Sequence, residues 1–370
     1  MPDRVDFTDI YVDDEIVERV AETLRSTRYV KGDRVEAFED RFASNCGTDH
    51  AVAVNSGTAA ILLSLRAAGV GEGDDVFVPG HTFFATVSPV LELRANPVFV
   101  DVNPETYTID TAALEAAVER SESPTAVVPV HLYGQLADVV EIQELADKYD
   151  LTVVEDACQA HFATRDGITA GTAGTAGAFS FYPSKNMTVA GDGGMIVTDD
   201  EAIAEQARRY RNHGRDDAGV HRELGLNYRL SDVAATVGIE QLDRVTAWNQ
   251  RRAVAASRYD DHLGSHPSVT TPTVAEGANH VYHLYVVQVP EDHRDALREY
   301  LDDNGIDTGV HYPTPAHRHP AVTERVDPPT LPTTEALCDR IVSLPMHPRI
   351  DDESIDRVCE AVEAYFEVVA

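Results

Sequence analysis

The sequence predicts an α/β protein: a mostly parallel central sheet with helices on both faces, followed by a smaller C-terminal α+β domain. Two observations carry this. Between residues 51 and 200 short β-branched runs alternate with stretches of helical periodicity, and beyond a polar break at 264–280 ("GSHPSVTTPTVAEGANH") strands become fewer. Strands separated by helices of this length need crossovers, and crossovers cover both faces of a parallel sheet. The 370 residues, 43% of them hydrophobic, suffice for one large core and one smaller one.

In chain order the strand runs are "AVAVNS" (51–56), "DVFVPG" (75–80), "PVFVDV" (97–102), "TAVVPVHLYG" (125–134) and "LTVVEDA" (151–157). Between them lie helical patterns at 58–69, 83–93, 111–120 and 138–150. A longer helical region spans 231–263. The second unit reads as a strand "VYHLYVVQVP" (281–290), a helix (293–305), a short strand "TGVHY" (308–312) and two closing helices. The expected domains are 1–255 and 256–370, with about the first 40 residues packing on the small domain or on a dimer partner. No internal repeat or low-complexity segment interrupts them.

The net charge of −33 excludes nucleic acid as a natural partner. Acids are dispersed in short clusters, and only Lys31, Lys148 and Lys185 carry an ε-amine. Dispersed acid with so little lysine predicts a high-salt cytoplasm, where screening relieves self-repulsion. No run approaches the length of a membrane span, and the opening "MPDRVDFTDI" lacks a basic start before an apolar stretch, so a cytoplasmic protein is expected. Cys46, Cys158, Cys338 and Cys359 are scattered without a CxxC, which predicts reduced, mostly buried thiols.

Four features converge on one chemistry. "NSGTAA" (55–60) lies between a strand and a helix, so the backbone N–H groups of Gly57, Thr58 and Ala59 can meet an anion at a helix N-terminus. Asp156 follows four apolar or strand-forming positions and should stand at the carboxyl edge of the sheet, where a carboxylate can keep a pyridine nitrogen protonated. Lys185 follows "FSFYPS", with the Ser180 hydroxyl five residues earlier; lysine forms a Schiff base and arginine cannot. Phe83 or Phe84, in "PGHTFFAT", could stack on a flat ring. Lys148 reads as a solvated helix face and Lys31 as a loop residue. Phosphate cup, stacking ring, strand-end acid and loop lysine describe a site for pyridoxal 5'-phosphate.

Longer stretches then become recognisable: "YVKGDRVEAFEDRFA", "AVAVNSGTAAILLSL", "VVPVHLYGQLADVVEI", "VVEDACQAH", "FSFYPSKNMTVAGDGGMIVT", "LGLNYRLSDVAATVGIEQL" and "TGVHYPTPAH". Nearly end to end, the chain resembles the DegT/DnrJ/StrS family of sugar aminotransferases, which have the aspartate-aminotransferase fold. The resemblance implies that Lys185 bonds the cofactor aldehyde and shuttles a proton, that Asp156 pairs with the pyridine nitrogen, and that Gln159 faces the ring or its hydroxyl. It implies Thr58 and Ala59 as backbone phosphate donors, Ser180 as a hydroxyl donor and Phe83 as the stacking ring. Asn227 would reach the phosphate of a neighbouring subunit, making a homodimer with shared sites. His311 and Tyr312, in "HYPTPAHRHP", would lie near a nucleotide-sugar substrate, and Arg229 is a candidate for the carboxylate of the donor, L-glutamate. A ping-pong amino transfer to a keto sugar follows, with a cyclitol ketone or a non-catalytic regulator as the alternatives.

The chain departs from the family pattern in two places. "EDACQAHFA" stands for "EDAAQAHGA", so Cys158 and Phe162 change the wall behind the cofactor, and "PGHTFF" replaces "PSFTF", bringing in Gly80 and His81. Neither change is expected to touch the reactive groups. The glycines of "GTAGTAG" (171–177) lack dinucleotide-loop spacing and read as a flexible loop. His311, His317 and His319 lie in a proline-broken loop without carboxylates at ligand spacing, so no metal is expected. A packed thiol is expected at Cys158 rather than a desulfurase nucleophile.

Overall fold

The computed structural model describes residues 4–30 and 32–369. Its centre is a seven-stranded sheet of β1 (His50–Val54), β2 (Asp75–Pro79), β3 (Asn96–Val100), β4 (Pro124–Val127), β5 (Thr152–Asp156), β6 (Ala176–Ser180) and β7 (Gly194–Thr198). In space the order is β1-β7-β6-β5-β4-β2-β3. Strands β2 to β6 pair in parallel, and β7 runs antiparallel between β6 and β1. The predicted class therefore holds, with β5 at the middle of the sheet.

Period-two alternation decides which helix layer each strand residue meets. Val52, Val54, Val76, Val78, Val154, Ala178 and Ile196 share one core with α3 (Gly57–Ala67) and α4 (Phe84–Glu92). Their neighbours Ala51, Ala53, Phe179, Met195 and Val197 turn to the opposite face, where Phe38 and Phe42 of α2 (Asp33–Cys46) pack. Phe77, Val127 and Val153 complete that second face together with Leu114 and Ile142 of the helices Thr111–Val118 and Val139–Tyr149. Both faces are covered, as parallel sheets require.

The run 231–263 is two helices, Asp232–Leu242 and Val245–Leu263. The second carries the chain from one core to the other in mid-helix. Val245 and Trp248 belong to the large unit's core, whereas Ala255, Ala256, Tyr259 and Leu263 pack in the C-terminal one. Position 255 thus falls inside a helix, because one amphipathic rod serves both cores. The first 40 residues divide. Val5 bridges to Ile306 and joins the C-terminal core, while the helix Asp14–Ser26 and α2 lie against Asp232–Leu242, with Thr23 and Thr236 hydroxyls 2.8 Å apart.

The C-terminal unit differs from expectation in its strands. Its sheet pairs β8 (Tyr285–Gln288) with β9 (Ile341–Leu344), which sits between the two closing helices and was not read from the sequence. "TGVHY" is no strand; only Gly309 bridges, to Ser343. The "GTAGTAG" loop is not free either. The amides of Gly171, Ala173 and Gly174 donate to the buried Glu155 carboxylate at 2.7–2.9 Å, and His131 Nε2 approaches it at 2.7 Å. A buried carboxylate must be satisfied by such donors, and here it organises the loop. Lys148 meets Glu115 on the surface at 2.7 Å, and Lys31 lies outside the described residues.

Candidate active site

A cavity of about 460 Å³ opens at the carboxyl ends of β5 and β6, where a doubly wound sheet binds its ligand. Gly57, Thr58, Phe83, Asp156, Gln159, Ser180, Lys185, His311 and Tyr312 all line it. Residues separated by more than 250 positions in the chain are brought together here.

Asp156 is the last residue of β5, opposite Ala178 of β6 and directly after the buried Glu155. Its Oδ2 accepts from Thr86 Oγ1 at 2.7 Å, and Thr86 in turn lies 2.7 Å from Thr82 Oγ1. Oδ1 accepts from the backbone N–H of Cys158 at 3.2 Å. The carboxylate is thus oriented from both sides. The contact from Cys158 is made by its backbone, which any residue at this position would supply. Burial pushes the Cys158 thiol well up, so it is a packed, protonated group.

Lys185 sits in the turn after β6, its amide donating to Tyr182 O at 2.8 Å. Burial lowers the pKa of its amine, and the nearby Cys158 and Asp156 oppose that only in part. A free amine is the form that attacks a carbonyl. Its Nζ lies 3.5 Å from His283 Nε2. Burial, then the lysine charge, depresses the His283 pKa well below that of a free imidazole, leaving it neutral. His283 was not singled out from the sequence: it sat inside a run read as strand, but β8 begins only at Tyr285, which frees the histidine to face the cavity.

The anion cup is narrower than expected. The helix α3 starts at Gly57, and the amides of Gly57 and Thr58 have no acceptor among the described residues. Ala59 does not line the cavity; its amide is taken by the Ser56 hydroxyl cap at 3.1 Å. A Cβ on Gly57 would stand 2.6 Å from Ser180 Cβ and 2.9 Å from Cys158 Sγ, so only glycine lets the backbone approach the Ser180 hydroxyl this closely. Two free amides, a helix N-terminus and a hydroxyl fit a phosphate, a buried amine with a lowered pKa fits an aldehyde, and a fixed carboxylate fits a pyridinium. The residues present therefore suit pyridoxal phosphate.

Phe83 is 56% exposed on the cavity rim, its ring 5.6 Å from that of Tyr312. Gln159 is doubly bound, accepting from Tyr133 N at 2.8 Å and donating to the Tyr312 hydroxyl at 2.9 Å. His311 is held by Ser343 Oγ at 2.8 Å and stacks on Phe7 at 5.6 Å; burial lowers its pKa to about 4. Phe7 and Thr8 come from the N-terminal segment and had no sequence signal. Asn227 and Arg229 are not brought into this cavity. Arg229 Nε donates to Asn227 Oδ1 at 2.9 Å and Nη1 to Asn212 Oδ1 at 3.2 Å, and Asn227 is exposed. Phe162 lies away from the site, against Phe42. His317 is paired with Glu335 and His319 packs on Phe84, apart from His311, and no group of three or more potential metal ligands occurs among the described residues.

Fold and site together define a transferase that uses pyridoxal phosphate. The chain belongs to the DegT/DnrJ/EryC1/StrS aminotransferase family, which it matches over residues 11–363, and it is a transaminase. It is 40% identical to the dTDP-3-amino-3,4,6-trideoxy-alpha-D-glucose transaminase of Streptomyces venezuelae over 351 residues, 95% of this chain and 92% of that one. It is also 40% identical to the erythromycin biosynthesis sensory transduction protein EryC1 of Saccharopolyspora erythraea, over 95% of each chain. A UDP-N-acetyl-3-dehydro-alpha-D-glucosamine 3-aminotransferase of Acidithiobacillus ferrooxidans is 38% identical over 94% of this chain and 93% of its own. Among solved structures, S. venezuelae DesV in complex with a ketimine intermediate superposes with a TM-score of 0.95 at 40% identity, covering 99% of both chains. The PLP form of a sugar aminotransferase from Streptococcus pneumoniae gives 0.93 at 26% identity, covering 99% of this chain and 100% of that one.

Proposed function

We propose that this enzyme moves an amino group from L-glutamate to the ketone of a nucleotide-linked sugar, in two half-reactions at one cavity, giving an amino sugar for glycan or secondary-metabolite synthesis. The observation that carries the reading is the meeting of the Lys185 amine and the Asp156 carboxylate in one cavity beside a neutral anion cup, in a chain whose relatives are named for dTDP- and UDP-linked sugars. Bound there, pyridoxal phosphate supplies a conjugated ring that draws electrons from the carbon bearing the amine. Asp156, fixed by Thr86 and the Cys158 amide, would keep the ring nitrogen protonated. Lys185 Nζ would hold the aldehyde and would carry a proton to and from the substrate carbon. The Gly57 and Thr58 amides and Ser180 Oγ would hold the phosphate, Gln159 and Phe83 would lie beside the ring, and His311 with Tyr312 would line the acceptor side.

The same reading makes the protein a homodimer of the cytoplasm, adapted to high salt. Asn227 and Arg229 do not line their own cavity, and apolar side chains stand exposed on the rim (Phe83, Tyr182 at 55%) and on the 220–226 segment (Leu224 at 84%). They would serve the partner's phosphate and donor carboxylate. No helix among the described residues is long and apolar enough to cross a membrane. Glutamate added to the yellow holoenzyme in high salt should convert its absorbance to that of the pyridoxamine form, and a panel of dTDP- and UDP-keto sugars should restore it. Absence of conversion with any amino donor would sink the proposal, and recovery by a cyclitol ketone alone would replace the acceptor. Mixing inactive Lys185→Ala and Asn227→Asp subunits should regain activity if the sites are shared.

A further inference from the structure

The segment "PGHTFF", which departs from the family pattern, has His81 at its centre. His81 does not line the cavity. It is 1% exposed, and burial lowers its pKa to about 4, so its imidazole is neutral in the working range. A neutral imidazole has one N–H, and its partners decide which nitrogen carries it. Nε2 lies 2.7 Å from the Tyr133 hydroxyl, and Nδ1 lies 3.6 Å from Cys338 Sγ. The Tyr133 hydroxyl donates its only hydrogen to the His311 carbonyl, so toward His81 it can only accept. Nε2 therefore carries the hydrogen. Nδ1 is left to accept from the Cys338 thiol, which burial keeps protonated up to about 12. The donors run one way, from Cys338 to His81, to Tyr133, to the His311 carbonyl.

Tyr133 is the pivot of this chain. Its φ of 58° lies in the left-handed region that a bulky side chain rarely takes. Its own N–H goes to Gln159, whose amide holds the Tyr312 hydroxyl. Tyr133 thus holds His311 directly by its carbonyl, and Tyr312 through Gln159 by its phenol. Without an N–H at position 81 the Tyr133 hydroxyl would be fixed from one side only.

We infer that His81 is a positioning residue for the acceptor: it orients the Tyr133 hydroxyl, which fixes the His311–Tyr312 wall and thereby restricts the sugar ring that fits against it. The inference rests on the proposal that this wall faces the acceptor, and the test separates the two. His81→Phe keeps a ring but removes both bonds, His81→Gln offers an amide N–H in place of Nε2–H, and Tyr133→Phe deletes the middle link should His81→Phe fold poorly. Hydrogen–deuterium exchange of the holoenzyme needs no acceptor. Uptake in the segment 306–314 should rise severalfold in His81→Phe and Tyr133→Phe and stay near the parent's in His81→Gln; unchanged uptake in both Phe variants overturns the inference. With a keto-sugar acceptor, His81→Phe should raise KM about tenfold, the worth of one buried hydrogen bond, with a smaller change in kcat. His81→Gln should recover most of it, and equal KM values in parent and His81→Phe overturn the specificity claim. If the acceptor proposal is what fails, no variant and no parent turns over the sugar while the exchange difference persists.

Discussion

The two walls of the cavity are built in opposite ways. The cofactor wall consists of short local motifs at the ends of β1, β5 and β6, each placed by the strand that precedes it. The proposed acceptor wall, His311 and Tyr312, lies in a loop of the C-terminal unit and is held by Tyr133, Gln159, Ser343 and Phe7, all distant in sequence. The difference teaches that the Lys185–Asp156 side is anchored by regular structure, whereas the His311–Tyr312 side depends on long-range side-chain bonds. Substitutions on the first wall should remove the reaction; substitutions on the second should retune it.

The sharpest contrast is at Lys185. Lys185→Ala should lower turnover by about 10⁴ or more, since both the anchoring amine and the proton carrier go. Borohydride should then leave no reduced adduct at that position. Asp156→Asn should cost about 10²–10³ in kcat, because an amide cannot hold the ring proton as a carboxylate does. Thr86→Val removes one donor to Asp156 and should cost about tenfold in kcat with little change in acceptor KM. On the other wall, Ser343→Ala frees His311 and should raise acceptor KM about threefold while leaving the donor half-reaction intact, the effect of one partly buried bond. A fall in kcat as large as that of Thr86→Val would break the comparison.

Protonation gives two further tests. In the cofactor-free protein, the pH profile for labelling Lys185 with an amine reagent should have its midpoint below the ordinary 10.5, because burial disfavours the charged amine. Stability should also fall in acid. His81, His161 and His280 are buried, with folded pKa values of about 4, 3 and 3 against 6.5 for the free side chain. Below pH 6.5 the unfolded chain therefore binds more protons than the native one, so stability present above 6.5 drains away as pH falls toward 4. Each such group contributes a slope of up to about 1.4 kcal/mol per pH unit, readable as a falling denaturant midpoint between pH 7 and 5. A flat profile across that window would show these rings to be protonated in place.

Legibility follows the same division. Lys185, Asp156, Ser180 and Gly57 could be read because each follows a strand with a recognisable pattern and carries a residue type that its neighbours lack. His283 was hidden by an apolar run whose first residues are loop, and β9 by its direct continuation from the helix Pro332–Arg340 without a turn signal. Thr86 left only a faint trace, four residues after Thr82 at the start of a helix. Ala59 shows the converse error: a motif suggested a free amide, and Ser56 had already taken it.

By itself, the sequence determined five of the seven sheet strands, their covering helices, a lone lysine after "FSFYPS" and an acid at the end of the central strand, because periodicity and residue chemistry are properties of short segments. Only the tertiary structure decided which hydrogen His81 carries, what holds His311 and Tyr312, and that Asn227 and Arg229 stand outside their own cavity. Those outcomes depend on which distant groups share a buried space, and in such a space every donor must find an acceptor.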